Sequence, residues 1–365
     1  MATSSKQPLR VAIIGAGIGR EHLAAYRELP ELFVVKTVCD LDEQRARSII
    51  EGADIALSGD LSATLNDDNI DIIDVCLPPH LHFDTTLAAL ESGKHVVCEK
   101  PLVNSLAQAD ALITASERTG RGITPVFQYR YGPAMQQLRA LVDAGLTGKA
   151  YMASLETHWN RDADYYAIDW RGTWNGERGG AVLGHAIHNH DLLTHVLGPV
   201  ASLSATCATR VNAIETEDCA AVMFEMQSGA LATSSVTLGA ANDTSRLRFC
   251  FEGLTATSGT APYAPAADPW EFQARAPLQQ AAIDEVLAAV VPSASGFTGF
   301  FEALHAALNG HPGREVLLQD GRRSLELVSA IYHSSQSGAR VSLPLGPDDA
   351  VYESWVPRLQ GRNAT

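Results

Sequence analysis

Three histidines and an aspartate fall within the short segment 184–191, and this density of ionisable groups is the first chemical signal in the sequence. An imidazole exchanges a proton near neutral pH, so a histidine at a helix start can serve as a general base. We predict that His188 is this base, with His185 and Asp191 as possible catalytic support. His190 fits better as a helix residue satisfied by local packing.

Clustered histidine and aspartate side chains can also ligate zinc, and two histidines three residues apart can share one helical face. No glutamate stands in this segment at the spacing that a zinc metalloprotease requires. We therefore predict acid–base chemistry here and no metal site.

A glycine-rich turn, GAGIGR at residues 15–20, follows the first apolar run of the chain. Glycines in such a turn let backbone N–H groups approach a pyrophosphate at a helix N-terminus, as in dinucleotide binding. The usual G-x-G-x-x-G spacing would put the third glycine at position 20, so Gly19 takes that role one residue early. We predict cofactor contacts from Gly15, Gly17, Ile18 and Gly19.

Asp40 ends the second apolar run, near the position where a carboxylate accepts hydrogen bonds from the adenosine ribose hydroxyls. The same carboxylate would repel a 2′-phosphate, and Leu41 follows where an NADP site often has Arg or Ser. We therefore predict NAD as the cofactor. Arg45 and Arg47 leave NADP open as the less favoured choice.

The first third of the chain alternates β-rich apolar runs with helical segments, which is typical of βαβ units and a parallel sheet. The predicted strands are Leu9–Ile14, Phe33–Cys39, Ile72–Leu77, His95–Cys98 and Ile123–Phe127. The predicted helices include Asp84–Glu91 and Ser105–Arg118. This pattern indicates a doubly wound α/β domain, which we place at residues 1–127.

After about Gln128 the apolar and polar residues alternate over longer stretches, which predicts an antiparallel sheet with one face covered. The predicted strands are Ala150–Thr157, Ala201–Val211, Ala220–Phe224, Ala230–Leu238 and Ser245–Glu252. Helices at Leu138–Asp143, Asn189–Leu197, Gly299–Asn309 and Gly321–Ser334 would cover it. We therefore predict a second, α+β domain over residues 128–365, for substrate binding and oligomerisation.

Composition limits the partners. The 365 residues are 46% apolar and 19% charged, which suffices for two domains. A net charge of −15 with scattered basic residues argues against nucleic acid and membrane as partners. The six cysteines lack C-x-x-C spacing, which predicts reduced thiols and a cytoplasmic location.

Two motifs closely resemble the signature of the Gfo/Idh/MocA oxidoreductases. They read DVCLPPHLH at residues 74–82 and GKHVVCEKPL at residues 93–102, and the Glu-Lys-Pro element is the specific part. The likeness covers nearly the whole chain, continuing through FQYRY at 127–131, WRGTW at 170–174, GGA at 179–181 and DGR at 320–322.

The resemblance implies an N-terminal Rossmann domain, a C-terminal domain with a large open sheet, an active site between them and oligomers that pair through the sheets. It implies that Lys100 is the catalytic lysine, which also lies at the cofactor. An ammonium group suits this task because it stabilises the alkoxide character that develops as hydride leaves carbon. The resemblance also places Glu99 beside the cofactor, and along the nicotinamide side it places Leu77, Pro78, Pro79 and His82.

One departure from the family pattern concerns the base. Many members carry Asp-x-x-x-His in the second half, where the Asp assists the His in proton transfer. Aligned on His188, that Asp position is Gly184 here. His188 remains the predicted general base, and His185 can substitute for the missing carboxylate.

Aromatic and guanidinium side chains precede the histidines and suit a polyhydroxylated ring or a carboxylated sugar. The alternative for each ring is a position in the core or in an oligomer interface. The place of Arg171 in the resemblance favours it as a substrate contact. The predicted substrate-binding set is Lys100, Arg130, His158, Tyr166, Arg171, His185 and His188.

These expectations combine into an NAD-dependent oxidoreductase that transfers a hydride between the nicotinamide and a ring hydroxyl of a sugar, cyclitol or glycoside. We expect a homodimer or homotetramer through the C-terminal sheet. Two alternatives stay open, namely an NAD-dependent glycosidase or lyase that oxidises its substrate transiently, and a non-catalytic NAD-binding regulator.

Overall fold

The computed structural model describes residues 7–52 and 54–357 and divides into two compact units. The first unit takes in the described part of Met1–Asn104 together with Gln108–Tyr131 and Ala294–Arg323. The second takes in Ser105–Ala107, Gly132–Ser293 and the described part of Ser324–Thr365. The sequence-based division at Phe127 differs from these units, because it assigns Ala294–Arg323 to the second domain.

A six-stranded parallel sheet forms the first unit, in the order β3-β2-β1-β4-β5-β6. Its strands are β1 Leu9–Ile14, β2 Phe33–Cys39, β3 Ala56–Ser58, β4 Ile72–Val75, β5 His95–Cys98 and β6 Ile123–Pro125. The helices between them are α1 Gly19–Arg27, α2 Glu43–Ile50, α3 Leu61–Leu65, α4 His82–Glu91 and α5 Leu106–Thr119. The predicted doubly wound fold is confirmed, and among the strands of this sheet the sequence pattern missed only the short β3.

An eight-stranded sheet forms the second unit, in the order β13-β12-β11-β7-β10-β9-β8-β14. Its strands are β7 Ala150–Asn160, β8 Val200–Ala208, β9 Cys219–Met226, β10 Leu231–Thr237, β11 Gly239–Phe251, β12 Leu254–Thr257, β13 Glu271–Ala274 and β14 Val341–Ser342. The predicted, mainly antiparallel sheet is confirmed. One pair, β7 and β10, runs parallel at the centre of the sheet.

The remaining helices are α6 Pro133–Asp143, α7 Ile187–Leu197, α8 Gln280–Ala288, α9 Gly296–Leu308 and α10 Leu318–Ser337. Helix α9 groups with the first unit because its apolar face packs on α1 and β2. Phe301 is fully buried and stacks on Tyr26 with ring centroids 3.9 Å apart. It also contacts the edge of Phe33.

Strand β7 shows how the eight-stranded sheet separates its two faces. Thr157 is fully buried and accepts a hydrogen bond of 2.7 Å from Asn189 of α7, so this face lies under the helix. His158, the next residue, points to the opposite face because successive side chains alternate along a strand. There its Nε2 contacts the Ser235 hydroxyl of β10 at 2.9 Å.

Among the helices of residues 7–52 and 54–357, none combines the length and the apolar character needed to cross a lipid bilayer.

Candidate active site

The three glycines of the turn after β1 have three different surroundings. Gly15 has a φ of +102°, and a Cβ there would lie 2.5 Å from the carbonyl oxygen of Cys76. A Cβ on Gly19 would lie 2.8 Å from Cγ2 of Ile13, so this glycine lets α1 pack closely on β1. A Cβ on Gly17 would meet no atom of the described chain within 4 Å. This arrangement fits a dinucleotide cradle, in which the middle glycine leaves room for a pyrophosphate.

Asp40 holds the glycine turn in place. Its Oδ2 accepts a hydrogen bond of 2.7 Å from the backbone N–H of Ala16, and its Oδ1 accepts one of 2.8 Å from the N–H of Asp42. Each carboxylate oxygen can accept more than one hydrogen bond. Asp40 can therefore support the turn and still accept hydrogen bonds from a ribose.

The two arginines that left NADP open are both paired with acidic side chains. Arg45 donates to Asp42 at 2.9 Å, and Arg47 donates to Glu43. A guanidinium that is already paired with a carboxylate attracts a 2′-phosphate less strongly. The geometry therefore favours NAD over NADP.

Parallel strands bring three chain segments to one edge of the first sheet. The glycine turn follows β1, the segment Leu77–Pro79 follows β4, and Lys100 follows β5, and these three strands are neighbours. Ligands of doubly wound folds bind outside the carboxyl ends of the strands, at the point where the strand order reverses. Here that point lies between β1 and β4. Lys100 therefore lies on the edge of the sheet where such ligands bind.

The residues predicted to line the nicotinamide side differ in exposure. Leu77 and Pro79 are half-buried and Pro78 is exposed, so their side chains remain partly accessible. His82 is fully buried, and its two ring nitrogens contact backbone carbonyl oxygens. His82 can therefore support a cofactor site only indirectly, by joining the loops that contain Leu77 and Pro101. Glu99 accepts a hydrogen bond of 2.9 Å from the backbone N–H of Lys100.

In the second unit, Glu217 holds the segment that leads into α7. Its carboxylate accepts hydrogen bonds from the backbone N–H groups of Gly180 at 3.1 Å and Val182 at 2.9 Å. It also accepts one of 2.8 Å from the hydroxyl of Tyr332. Burial raises the pKa of Glu217 to about 7, although the hydrogen bonds act in the opposite direction. No sequence pattern marks Glu217 as functional, because an acidic side chain in a loop usually lies in solvent.

The histidines occupy a π-helical turn, Val182–Ala186, and the helix α7 that continues from it. His185, His188 and Asp191 are 8%, 5% and 2% exposed. His190 contacts the Ser234 hydroxyl at 2.9 Å, and burial lowers its pKa to about 4. The Ser234 contact and the full burial of the ring agree with the interpretation of His190 as a packed helix residue, although its Nδ1 has no hydrogen-bond partner among the described residues.

Aromatic rings and a guanidinium group surround His185. The ring centroids of Trp159 and Tyr165 lie 5.1 and 6.0 Å from that of His185. The Arg171 guanidinium lies 4.1 Å from the centre of the Tyr165 ring, and Tyr166 packs against the edge of Tyr165. The structure thus brings Arg171 and Tyr166 into one cluster with His185. Side chains alternate between the two faces of β7, so Trp159 lies on the same face as Thr157. This alternation could have added Trp159 to the predicted substrate-binding residues.

Two members of the predicted substrate set lie elsewhere. His158 lies on the sheet face opposite α7, because it is one residue out of phase with Thr157 and Trp159. Arg130 is buried and donates to Asp320 at 2.8 Å. Burial raises the pKa of Asp320, but the charge of Arg130 outweighs it, so the pKa falls below its usual value. These placements favour a structural role for Arg130 and a surface position for His158.

Gly184 leaves open space at the position where many family members carry the catalytic Asp. A Cβ on Gly184 would meet no atom of the described residues within 4 Å. Glycine replaces the Asp of the family pattern here although the surrounding residues leave room for a Cβ atom.

We predict that Glu217→Gln flattens part of the pH dependence of stability. Because the pKa of Glu217 is raised from 4.5 to about 7, its contribution is fully present below pH 4.5 and is lost as the pH rises to 7. This loss is about 3 kcal/mol in the free energy of unfolding. Urea denaturation at a series of pH values measures it. The exposed Glu271→Gln variant serves as control, and an unchanged slope in Glu217→Gln would contradict the prediction.

Two family models match the chain. The first, described as oxidoreductase family, NAD-binding Rossmann fold, matches residues 9–127. The second, the GFO/IDH/MocA C-terminal domain, matches residues 135–257. Together they cover well over half of the chain.

Two of the similar proteins are dehydrogenases of levoglucosan and of D-glucosides. The chain is 26% identical to levoglucosan dehydrogenase of Pseudarthrobacter phenanthrenivorans over 214 residues, 56% of this chain and 55% of the relative. It is 31% identical to D-glucoside 3-dehydrogenase of Escherichia coli over 197 residues, 53% of this chain and 55% of the relative. The chain thus spans about half the length of these curated relatives.

A solved structure of the WlbA dehydrogenase from Bordetella pertussis, in complex with NADH and UDP-GlcNAcA, matches with a TM-score of 0.81 at 26% identity. The match covers 93% of this chain and 100% of that one. With both family models matched in order along the sequence, the chain belongs to the Gfo/Idh/MocA family of oxidoreductases with an NAD-binding Rossmann fold.

Proposed function

We propose that this protein is an NAD-dependent dehydrogenase that oxidises a ring hydroxyl of a sugar, cyclitol or glycoside. The observation that carries the proposal is the position of Lys100 two residues after β5, on the same sheet edge as the glycine turn held by Asp40. A cation at the nicotinamide end of a dinucleotide cradle suits the oxidation of an alcohol, because negative charge develops on the substrate oxygen.

When bound, NAD supplies the hydride acceptor. The residues of this chain would orient the substrate and move its proton. In this proposal the Lys100 ammonium donates a hydrogen bond to the reacting oxygen, and His188 accepts the hydroxyl proton as general base. Asp191 and His185 would support His188, which lies in the first turn of α7 and follows the segment held by Glu217.

The cluster around His185 supports a carbohydrate substrate. Aromatic rings present flat apolar faces to the C–H groups of a sugar ring, and a guanidinium donates hydrogen bonds to its oxygens or to a carboxylate. Arg171 provides that guanidinium beside Tyr165. The levoglucosan and D-glucoside dehydrogenases named above make a sugar or glycoside the first class to test.

We also propose that the chain forms a homodimer or homotetramer through the open face of the eight-stranded sheet. Met223 and Leu231 project from neighbouring strands on this face and are 63% and 52% exposed. Burying such side chains against a second copy would remove apolar surface from water. A cytoplasmic location agrees with the six free cysteines.

We expect Lys100→Ala and His188→Ala each to lower turnover by at least about a hundredfold while NAD affinity stays nearly unchanged. NADH formation by the purified protein, followed by its absorbance with a panel of sugars, inositols, sugar acids and glycosides, gives the turnover. NADP in parallel tests the cofactor. A fully active His188→Ala variant would refute the assigned base. Glycoside cleavage without net NADH would indicate transient oxidation instead.

We expect Gly184→Asp to shift the acid limb of the kcat/KM profile upward by about one pH unit. A carboxylate four residues before His188 would favour the protonated imidazole. Gly184→Ala is the matched control, because it occupies the same open space without charge. Identical pH profiles for the two variants would contradict the proposed pairing.

We expect Met223→Arg to lower the molar mass measured by light scattering to that of a smaller assembly, because a charge would face its symmetry mate. Leu317→Arg, at a position of similar exposure in the first unit, should leave the mass unchanged. A monomeric unmodified protein, or an oligomer that survives Met223→Arg, would count against the interface.

A further inference from the structure

His82 has an unusual set of partners for a buried histidine. It is fully buried at the start of α4. Its Nδ1 lies 2.8 Å from the carbonyl oxygen of Pro101, and its Nε2 lies 2.7 Å from the carbonyl oxygen of Leu77. A carbonyl oxygen can only accept, and a neutral imidazole has only one N–H to donate. Both contacts are satisfied only when the ring carries two protons, so His82 is an imidazolium.

The electrostatics of this site agree with the hydrogen-bond count. Burial lowers the pKa of His82, but its interactions with the Cys98 sulfur and with the two carbonyl oxygens outweigh this effect and raise the pKa to about 9. Cys98 comes from β5, and the carbonyl groups come from the loops after β4 and β5. The ring therefore stays charged at neutral pH.

His22 of α1 is a second buried histidine, and it lies between two carboxylate side chains. Its Nδ1 lies 2.8 Å from Asp74 of β4, and its Nε2 lies 3.1 Å from Glu99. Cys76 Sγ lies 3.4 Å from the same Nδ1. Burial lowers the pKa of His22, but the charge of Asp74 outweighs it and holds the pKa well above 6.5.

His22, Asp74 and Cys76 also have the residue types of a metal site, with ligand atoms within 4.8 Å of one another. The distance from Nδ1 to the carboxylate is that of a charged hydrogen bond. The second ring nitrogen already faces Glu99. A protonated imidazole between two carboxylates accounts for these contacts without an ion.

The two histidines hold the residues on either side of Lys100. One carboxylate oxygen of Glu99 contacts the ring of His22. The other accepts a hydrogen bond of 2.9 Å from the backbone N–H of Lys100. The carbonyl oxygen of Pro101, the residue after Lys100, contacts the ring of His82. We propose that His22 and His82 are positioning residues, two buried imidazolium groups that fix the backbone of Lys100 from both sides. This inference rests on the proposed function, in which Lys100 touches the reacting oxygen.

Fixing this backbone matters because Lys100 must meet an oxygen whose place is set by the bound cofactor and sugar. A displacement of about 1 Å can cost about a hundredfold in rate. A charged hydrogen bond is roughly twice as strong as a neutral one. His82 also ties the loop of Lys100 to Leu77, which follows β4, so it fixes the lysine relative to the nicotinamide side.

The first test measures the protonation of the His82 ring in the unmodified protein and needs no activity assay. Histidine labelled with ¹⁵N should show both ring nitrogens of His82 protonated at pH 8, with a titration midpoint near 9. An ordinary histidine would be mostly neutral there. A neutral His82 ring at pH 8 would overturn the proposal for that residue.

The second test uses His22→Gln and His82→Gln, with the exposed His311→Gln as matched control. We expect the kcat of both variants to fall about ten- to a hundredfold, with the Kd for NADH within about threefold of the unmodified protein. Hydrogen exchange of the Lys100 amide should accelerate at least about tenfold in His22→Gln. The control should change none of these. Folded variants with unchanged kcat and unchanged amide exchange would overturn the positioning role.

The outcomes separate the two proposals. If the unmodified protein oxidises no member of the sugar panel, the proposed function fails, while the ring spectrum and the amide exchange still decide the inference. If it oxidises a sugar and both variants match it, the inference fails alone. Should one variant not fold, the other variant and the ring spectrum carry the test.

Discussion

Each reactive segment depends on one kind of interaction, in which a side-chain carboxyl group accepts hydrogen bonds from backbone N–H groups. Asp40 holds the glycine turn, Glu99 holds the amide of Lys100, and Glu217 holds the segment before α7. Hydrogen bonds to a charged acceptor are stronger than neutral ones, and an N–H left without a partner in the interior is costly. The three segments therefore have defined backbone positions before a ligand arrives.

Local patterns predicted the longer strands of both sheets, but not the contacts that join distant segments. The strands β1, β2 and β4 are short apolar runs, because a parallel strand between two helical layers is buried on both faces. The parallel pairing of β7 with β10 joins segments about 80 residues apart in the chain. The packing of α9 on Tyr26 depends on a similar long-range contact. Neither leaves a periodic trace in the sequence.

The site could be predicted to the extent that backbone motifs define it. The short glycine spacing could be interpreted from the sequence, and Gly19 does allow the close contact of helix and strand that a third glycine serves. The roles of single side chains were harder to predict from the sequence. Arg130 is the same residue type whether it binds a substrate or pairs with Asp320, and only the fold decides between them. Glu217 gave no sequence signal, because its role depends on burial.

Burial sets His190 apart from the other histidines of segment 184–191, because it lowers the pKa of this ring. His190 keeps a neutral ring down to about pH 4, so it cannot contribute an ionisation between pH 5 and 8, where histidines usually titrate. Spectroscopically, this residue is a fixed reference within α7, which also carries His188 and His195. A proton uptake observed in that interval at the start of α7 therefore does not belong to His190, and the assignment of a kinetic ionisation excludes this ring from the outset.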